Sequence, residues 1–291
     1  MPELPEVEAA RVRLERWAAG RRLDTVYLVD PSSVRTRLSS RPRDAVSDPG
    51  SAVGGWVGGV AASPLRHGKR LGWAFGASGL LAHFGMSGKW IARPPGAEVP
   101  KFARIGLAFD AGPVCWFVDA RRFGCVTVVP AEGLWAALRE GLGPDALTAC
   151  PLGPDLSRRF AVKRPLKVAL LEQDRLAGLG NIHVAEALWR AGIHPDRRCD
   201  ALTAAEWSRL SAAITAQLEA AGADLAGDQE LTYLSEGASP NPFSVYGQRE
   251  RPCPRCGGAI AAAQRGGRVT WWCPGCQPAK SSKHHALGDA G

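Results

Sequence analysis

Four cysteines near the end of the chain restrict its fold more than any other feature. Cys253-Pro-Arg-Cys256 and Cys273-Pro-Gly-Cys276 are separated by sixteen residues, the C-x2-C…C-x2-C spacing of a tetrahedral zinc module. A closed set of four thiolates leaves no open coordination position, so one structural zinc ion is expected. The remaining cysteines, Cys115, Cys125, Cys150 and Cys199, are scattered and read as buried small hydrophobes. Between the paired cysteines, the run Gln264-Arg-Gly-Gly-Arg268-Val-Thr-Trp-Trp272 reads as a β-hairpin whose turn carries two arginines. Such a finger can hold a guanidinium against a phosphate; a solvated turn charge is the other reading.

A module this small does not account for 291 residues, 45% of them hydrophobic and 22% charged. The balance is that of a soluble protein of two domains plus a small module. No apolar run is as long as a membrane span and the charged start does not resemble a signal peptide, so a cytoplasmic protein with no membrane contact is expected. The formal net charge of +8 asks for an anionic partner, of which nucleic acid is the commonest.

Apolar spacing divides the chain. Leu4, Val7, Leu14 and Trp17 recur at helical intervals, which predicts a helix over 4–19 closed by Gly20. Short β-prone runs follow at Thr25–Val29, Trp56–Val60, Leu71–Phe75, Leu80–Phe84, Ile105–Phe109, Val114–Val118 and Val126–Val129. Turn-forming clusters separate them, the signature of an antiparallel sandwich or barrel. The Ser, Pro and Gly content of Ser39–Gly59 reads as a long surface loop. From Ala131 the pattern turns helical, with Leu142–Pro154 as the interdomain linker. Thr203-Ala-Ala-Glu206 is a capping box that opens a helix ending before Gly222. Gly178-Leu-Gly-Asn181 forms a tight turn before a helix that Gly192 stops. The fold class is therefore α+β multidomain. A leading α-helix precedes an N-terminal antiparallel β-sandwich (1–130) and a linker (131–155). A helical helix–two-turn–helix domain (156–246) and the hairpin zinc finger (247–279) follow, with a disordered tail at 280–291.

Several groups could carry chemistry. The chain starts Met1-Pro2-Glu3, and an initiator Met before Pro is normally trimmed, which would leave Pro2 as a secondary amine. Such a terminal amine is partly neutral near pH 7 and can attack carbon, with Glu3 at hand to move a proton. Alone, the segment reads better as an ordinary helix start, a preference that the rest of the chain reverses. The glycine turn exposes backbone N–H groups at a helix start, where phosphate binds, and Lys163 and Lys167 precede it. Lys69 stands at the start of a strand. Met86 lies on a glycine-flanked turn, and Arg121 and Phe123 stand at a strand end. A Met and a Phe on exposed turns beside an Arg suit a protein that wedges open a base stack.

In these motifs and their order the sequence resembles the formamidopyrimidine-DNA glycosylase family. The likeness covers Pro2-Glu3-Leu4-Pro5-Glu6-Val7-Glu8, the Met86-Ser-Gly turn, Arg121-Arg-Phe-Gly124, Gly180-Asn-Ile182, Ala191-Gly-Ile-His-Pro195 and the finger. The resemblance implies a bifunctional DNA glycosylase/AP lyase of base excision repair that removes oxidised purines from duplex DNA. Pro2 would be the Schiff-base nucleophile and Glu3 the adjacent acid/base. Lys69, Arg268 and Asn181 would contact phosphate. Met86, Arg121 and Phe123 would fill the gap left by the flipped base. It also implies that Gly227–Ser244 matches the loop covering oxidised purine. No redox or organic cofactor is implied, and the partner is damaged double-stranded DNA, bound by a monomer. Two residues depart from the family pattern: Phe102, where a His-containing stretch is common, and His183, where a Tyr is usual. An endonuclease VIII-type enzyme for oxidised pyrimidines and a non-catalytic DNA-binding zinc protein are the rival readings.

Overall fold

In the computed structural model, residues 2–38, 44–225 and 241–279 are described. The expected tail at 280–291 lies outside them, as do residues 39–43 of the expected loop and most of Gly227–Ser244. Helix α1 (Leu4–Ala18) starts where the Glu3 backbone N–H donates to the Glu6 carboxylate at 2.9 Å. Its apolar stripe serves two cores at once. Val7, Ala10, Leu14 and Ala18 join the core of the β-rich half, whereas Leu4 joins the core of the helical half. The first turn of α1 is thus gripped by both halves, which fixes the residues just before it.

The β-rich half packs two four-stranded antiparallel sheets. One has the order β1 (Leu23–Leu28), β6 (Ala103–Phe109), β7 (Val114–Val118), β5 (Lys89–Arg93). The other runs β2 (Leu65–His67), β3 (Arg70–Phe75), β4 (Ser78–His83), β8 (Cys125–Pro130). Between them Trp73, Phe75, Trp90, Phe109 and Phe117 interlock, with Trp73 and Trp90 edge to face at 6.2 Å.

Two expectations fail here. Within the supposed loop at 39–59 a helix, α2 (Pro49–Gly54), forms because Asp48 Oδ1 accepts the Ser51 N–H at 3.1 Å and Pro49 occupies its first turn. The supposed strand at Trp56–Val60 is mainly a turn; Trp56 is fully buried and its indole N–H donates to the Gly79 carbonyl at 3.3 Å. Strands β2 and β5 were not among the expected ones.

Helix α3 (Leu134–Arg139) packs Leu134 and Leu138 against Leu81 of the second sheet, and the helical half comprises α4 (Gly153–Arg159), α5 (Leu166–Ala169), α6 (Asn181–Ala191) and α7 (Ala204–Asp224). The Gly192 stop is real, with φ +66°. Thr203 and Glu206 form the capping box, but α7 continues through Gly222 to Asp224. No helix among the described residues is long and apolar enough to cross a membrane. The finger follows as the hairpin β9 (Ala261–Arg265) and β10 (Arg268–Trp272) around Ile260, Trp271, Cys253 and Cys273. Cys115, Cys125 and Cys199 are buried as expected; Cys150 is only half-buried.

Candidate active site

Glu3 meets the start of α6, 177 residues away in sequence. Its Oε2 accepts the backbone N–H groups of Gly180 at 2.8 Å and His183 at 3.2 Å, and its Oε1 accepts that of Ile182 at 3.0 Å. The helix N-terminus that sequence suggests for a phosphate is therefore filled by a carboxylate of the chain itself. The glycines of the turn make this possible. A Cβ on Gly180 would overlap the Glu3 carboxylate, and one on Gly178, where φ is +116°, would overlap Leu4.

In front of this arrangement lies a cavity of 650 Å³ lined by Pro2, Lys69, Arg70, His83, Gln173 and Arg268, among others. Lys69 stands in the two-residue turn between β2 and β3 and is half-buried. Burial lowers its pKa and Arg268 pushes the same way, while Glu3 and Glu6 oppose. Arg268 follows the Gly266-Gly267 turn of the finger, with φ +55° and +74°, and is exposed. Pro2, Lys69 and Arg268, far apart in sequence, thus share one cavity.

Two cavity residues escaped the sequence reading. His83 accepts the Gly85 N–H on Nδ1 at 3.1 Å, and burial followed by the positive charge of Lys69 lowers its pKa. It is a neutral imidazole whose Nε2 carries the proton. Its place, three residues before Met86 at the end of β4, was the available signal. Gln173 braces the glycine turn: its Oε1 accepts Gly178 N–H at 3.0 Å and its Nε2 donates to the Leu179 and Leu171 carbonyls, each at 2.9 Å. Sequence offers no signal for that role.

Asn181 does not stand free at the helix start. Its Nδ2 donates to the Val269 carbonyl of β10 at 2.9 Å, tying α6 to the finger. Met86, Arg121 and Phe123 come together on two adjoining loops. A Cβ on Gly85 would overlap Gly124, and the Arg121 guanidinium lies over the Phe123 ring at 5.5 Å. Buried Asp119 organises both loops by accepting from the Ser87 hydroxyl, from Gly124 N–H at 2.6 Å and from Arg121 N–H at 3.2 Å. Phe102 has φ +65°, is exposed, and its carbonyl accepts Asp119 N–H at 3.0 Å. His183 is buried against Gln217, with 3.3 Å between Nδ1 and Nε2.

Lys163 is exposed, but Lys167 is not the surface contact expected of it. It is 1% exposed and its Nζ donates to the Arg265 carbonyl at 3.2 Å, beneath the finger's turn. Burial, then Arg268 and Arg265, bring its pKa down to about 8. Four of the expected loop residues, Asn241–Ser244, are described; Ser244, with Val245 and Tyr246, donates its backbone N–H to the Glu186 carboxylate at 2.9–3.0 Å.

The thiolates fit zinc. All four Sγ atoms lie within 4.8 Å of one another, with 3.8 Å between Cys253 and Cys276 and 3.4 Å between Cys256 and Cys273. Tetrahedral Zn–S bonds of ~2.3 Å require sulfur separations of roughly 3.8 Å. Backbone N–H groups of Arg255 and Cys276 point at the sulfurs of Cys253 and Cys273, each at 3.4 Å, which supports the thiolate charge.

A sandwich lobe and a helical lobe meeting at a basic cavity, with a four-cysteine finger at its edge, are the architecture of a two-lobed DNA glycosylase. The profile described as the formamidopyrimidine-DNA glycosylase N-terminal domain matches residues 1–126, that family's H2TH domain matches 142–229, and the zinc finger found in FPG and IleRS matches 251–279. The formamidopyrimidine-DNA glycosylase of Acidothermus cellulolyticus is 35% identical over 98% of this chain and all of its own. That of Geobacter metallireducens is 37% identical over 95% of this chain and all of its own. Among solved structures, Lactococcus lactis Fpg in complex with abasic-site DNA superposes with a TM-score of 0.80 at 28% identity, covering 96% of this chain and 100% of that one. MutM in complex with DNA containing carbocyclic 8-oxo-G gives 0.79 at 27% identity, with the same coverage. The chain belongs to the formamidopyrimidine-DNA glycosylase family.

Proposed function

We propose that this protein is a bifunctional DNA glycosylase/AP lyase of base excision repair that removes oxidised purines from duplex DNA as a cytoplasmic, nucleoid-associated monomer. The observation that carries the reading is the meeting of Pro2, Lys69 and Arg268 in one cavity with Glu3 fixed immediately behind Pro2. After loss of Met1, the Pro2 nitrogen lone pair attacks C1′ of the damaged nucleotide. The glycosidic bond breaks, and the base leaves with its electrons and takes up the proton that the attacking Pro2 amine sheds. Glu3 delivers a proton to the sugar ring oxygen, and the ring opens to an iminium. The iminium acidifies C2′; loss of that proton expels the 3′ phosphate, and a second elimination expels the 5′ phosphate. Hydrolysis then frees Pro2.

Lys69 and Arg268 grip the flanking phosphates from opposite lobes, with the remaining Nδ2 hydrogen of Asn181 beside them. Lys163 is exposed for a further backbone contact, whereas Lys167 serves from below by holding the finger's turn. Met86, Arg121 and Phe123 fill the gap left by the flipped nucleotide, which offsets a few kcal/mol of lost stacking. Zinc, held by Cys253, Cys256, Cys273 and Cys276, stabilises the finger and takes no part in the chemistry. The Fpg name carried by the relatives and the Met86, Arg121, Phe123 set both favour oxidised purine over oxidised pyrimidine.

Borohydride trapping tests the nucleophile. A covalent adduct with abasic duplex is expected from the protein lacking Met1, with the trapped sugar mapping to the nitrogen of residue 2; an adduct that maps to a lysine would reject Pro2. Relative cleavage of 8-oxoguanine opposite cytosine and thymine glycol opposite adenine tests the substrate class, with faster cutting of the first expected.

A further inference from the structure

Lys69 is a flexible side chain in a two-residue turn, and such a group is useful in catalysis only where its backbone is held fast. We infer that Asp145, a linker residue outside the cavity, is the positioning residue for Lys69, through the backbone of Gly68. The inference rests on the phosphate-gripping role proposed for Lys69. Asp145 is 2% exposed. Its Oδ2 accepts the Gly68 N–H at 2.7 Å, and both its oxygens take the Arg66 guanidinium in a two-pronged ion pair. The other face of Oδ1 is held by the Leu147 and Thr148 N–H groups, each at 3.0 Å. Every donor converges on one carboxylate, so the turn has a single place to sit.

The hub reaches the chain start as well. Ala177 N–H donates to the Pro144 carbonyl at 2.8 Å, Ala146 N–H donates to the Ala177 carbonyl at 2.9 Å, and Leu4 N–H donates to the Gly178 carbonyl at 3.3 Å. Gly68 has φ +57°, and a Cβ there would lie 3.0 Å from the Ala177 Cβ. The turn of Lys69, the segment Pro144–Ala146 and the segment Ala177–Gly178 that fixes Leu4 beside Glu3 therefore press on one another around Asp145. A carboxylate in the linker sets the distance between the phosphate-gripping cation and the reacting end of the chain.

A double-mutant cycle separates positioning from general support. The rate of borohydride trapping on abasic duplex is measured for wild type, Lys69→Ala, Asp145→Ala and the double variant. Lys69→Ala should slow trapping about 100-fold and Asp145→Ala about tenfold, with the double variant no slower than Lys69→Ala alone. Losses that multiply to roughly 1000-fold overturn the inference, because Asp145 would then act independently of Lys69. An unimpaired Lys69→Ala would overturn the role given to Lys69 and the inference with it. Thr148→Val, which deletes only a 3.2 Å bond to Oδ1, should change the rate less than about twofold. Where Asp145→Ala leaves buried Arg66 with Glu8 as its remaining ion partner and does not fold, the pair Arg66→Met with Asp145→Leu removes both charges and still strips the Gly68 anchor. The same non-additivity with Lys69→Ala is expected of it.

Discussion

Lys69 enters the cavity from the sandwich lobe, on a turn backed by a core of interlocked aromatic rings and anchored to a buried carboxylate. Arg268 enters from the finger, whose own core is Val245, Ile260, Trp271, two cysteines and Ala185 of α6. The first cation is held by hydrophobic burial within a large lobe. The second is held by metal coordination and by a few bonds to the helical half: Asn181 to Val269, Lys167 to Arg265, and Arg265 to Asp196 at 2.7 Å. A clamp whose two jaws have such different foundations should come apart in a definite order.

The largest effect is expected from the weaker foundation. Zinc coordination contributes on the order of 10 kcal/mol to folding in small modules, more than a cluster the size of the finger's own can supply. Removing the metal with a chelator, or Cys273→Ser, should unfold the finger and release Arg268 while the lobes keep their melting transition. Affinity for lesion duplex should fall about 100-fold, and the Pro2 amine should remain reactive toward a small aldehyde. Calorimetry showing the lobes melting together with the finger would erase the distinction between the two foundations.

Next is Gly180→Ala. The new methyl overlaps the Glu3 carboxylate and must drive it from the α6 N-terminus, leaving Pro2, Lys69 and Arg268 where they are. Base release should fall about 100-fold, roughly 2.7 kcal/mol of barrier, while cleavage of a preformed abasic site should fall far less. Equal loss of the two steps would mean that the glycine turn supports the cavity in general and not Glu3 in particular.

Third is an acid effect confined to the sandwich jaw. Bonds from Arg66 and the backbone, outweighing burial, bring Asp145 down to about 2 from a reference of 3.8. A carboxylate depressed on folding contributes its full stabilisation above the unfolded value and loses it as pH falls toward the folded one. The contribution, about 2 kcal/mol, should therefore be complete above about pH 4.5 and drain away between there and pH 2. Denaturant titrations at pH 5 and pH 3 should show this slope in wild type and a shallower one in the Arg66→Met, Asp145→Leu pair. The finger's docking has no equivalent dependence on Asp145.

The same contrast explains what was legible in the sequence. The finger is local: its four ligands and its hairpin turn lie within Cys253–Cys276, so spacing alone located it. Strands β3, β4, β6, β7 and β8 were legible because β-branched and aromatic runs bounded by turn residues are local too. Strand β5, Lys89-Trp-Ile-Ala-Arg93, was missed because charged ends hide its short apolar middle; what makes it a strand is pairing with β7. Helix α2 was missed because its Pro-Gly-Ser start has a loop's composition, although Asp48 before Pro49 was a capping signal. In the site, residue types were readable and partners were not. That Glu3 would occupy the α6 N-terminus, and that Lys167 would be covered by the finger, depends on contacts 177 and 98 residues long. Asp119 and Asp145 reach Ser87 and Gly68 across 32 and 77 residues, while Gln173 acts through bonds two to six residues long, and no periodicity encodes either.

The smallest expected effect tests where the finger's turn rests. Gly266 lies against Val168 of α5, close enough that a Cβ on Gly266 would be 3.0 Å from a Val168 methyl. Val168→Ala removes two methyl groups beneath the turn that presents Arg268 and leaves zinc, Asn181 and Lys167 untouched. Val168 is half-buried, so the loss should be about 0.5–1 kcal/mol. If that loss is felt at Arg268, it appears as a two- to fivefold rise in the Kd for lesion duplex at low salt. The rise should vanish in an Arg268→Ala background, because the seat matters only through the side chain it aims. A Kd that rises equally in both backgrounds would place Val168 in the general packing of the helical half, and the finger would then be aimed by its metal and by its hydrogen bonds to the helical half, those of Asn181, Lys167 and Asp196 among them.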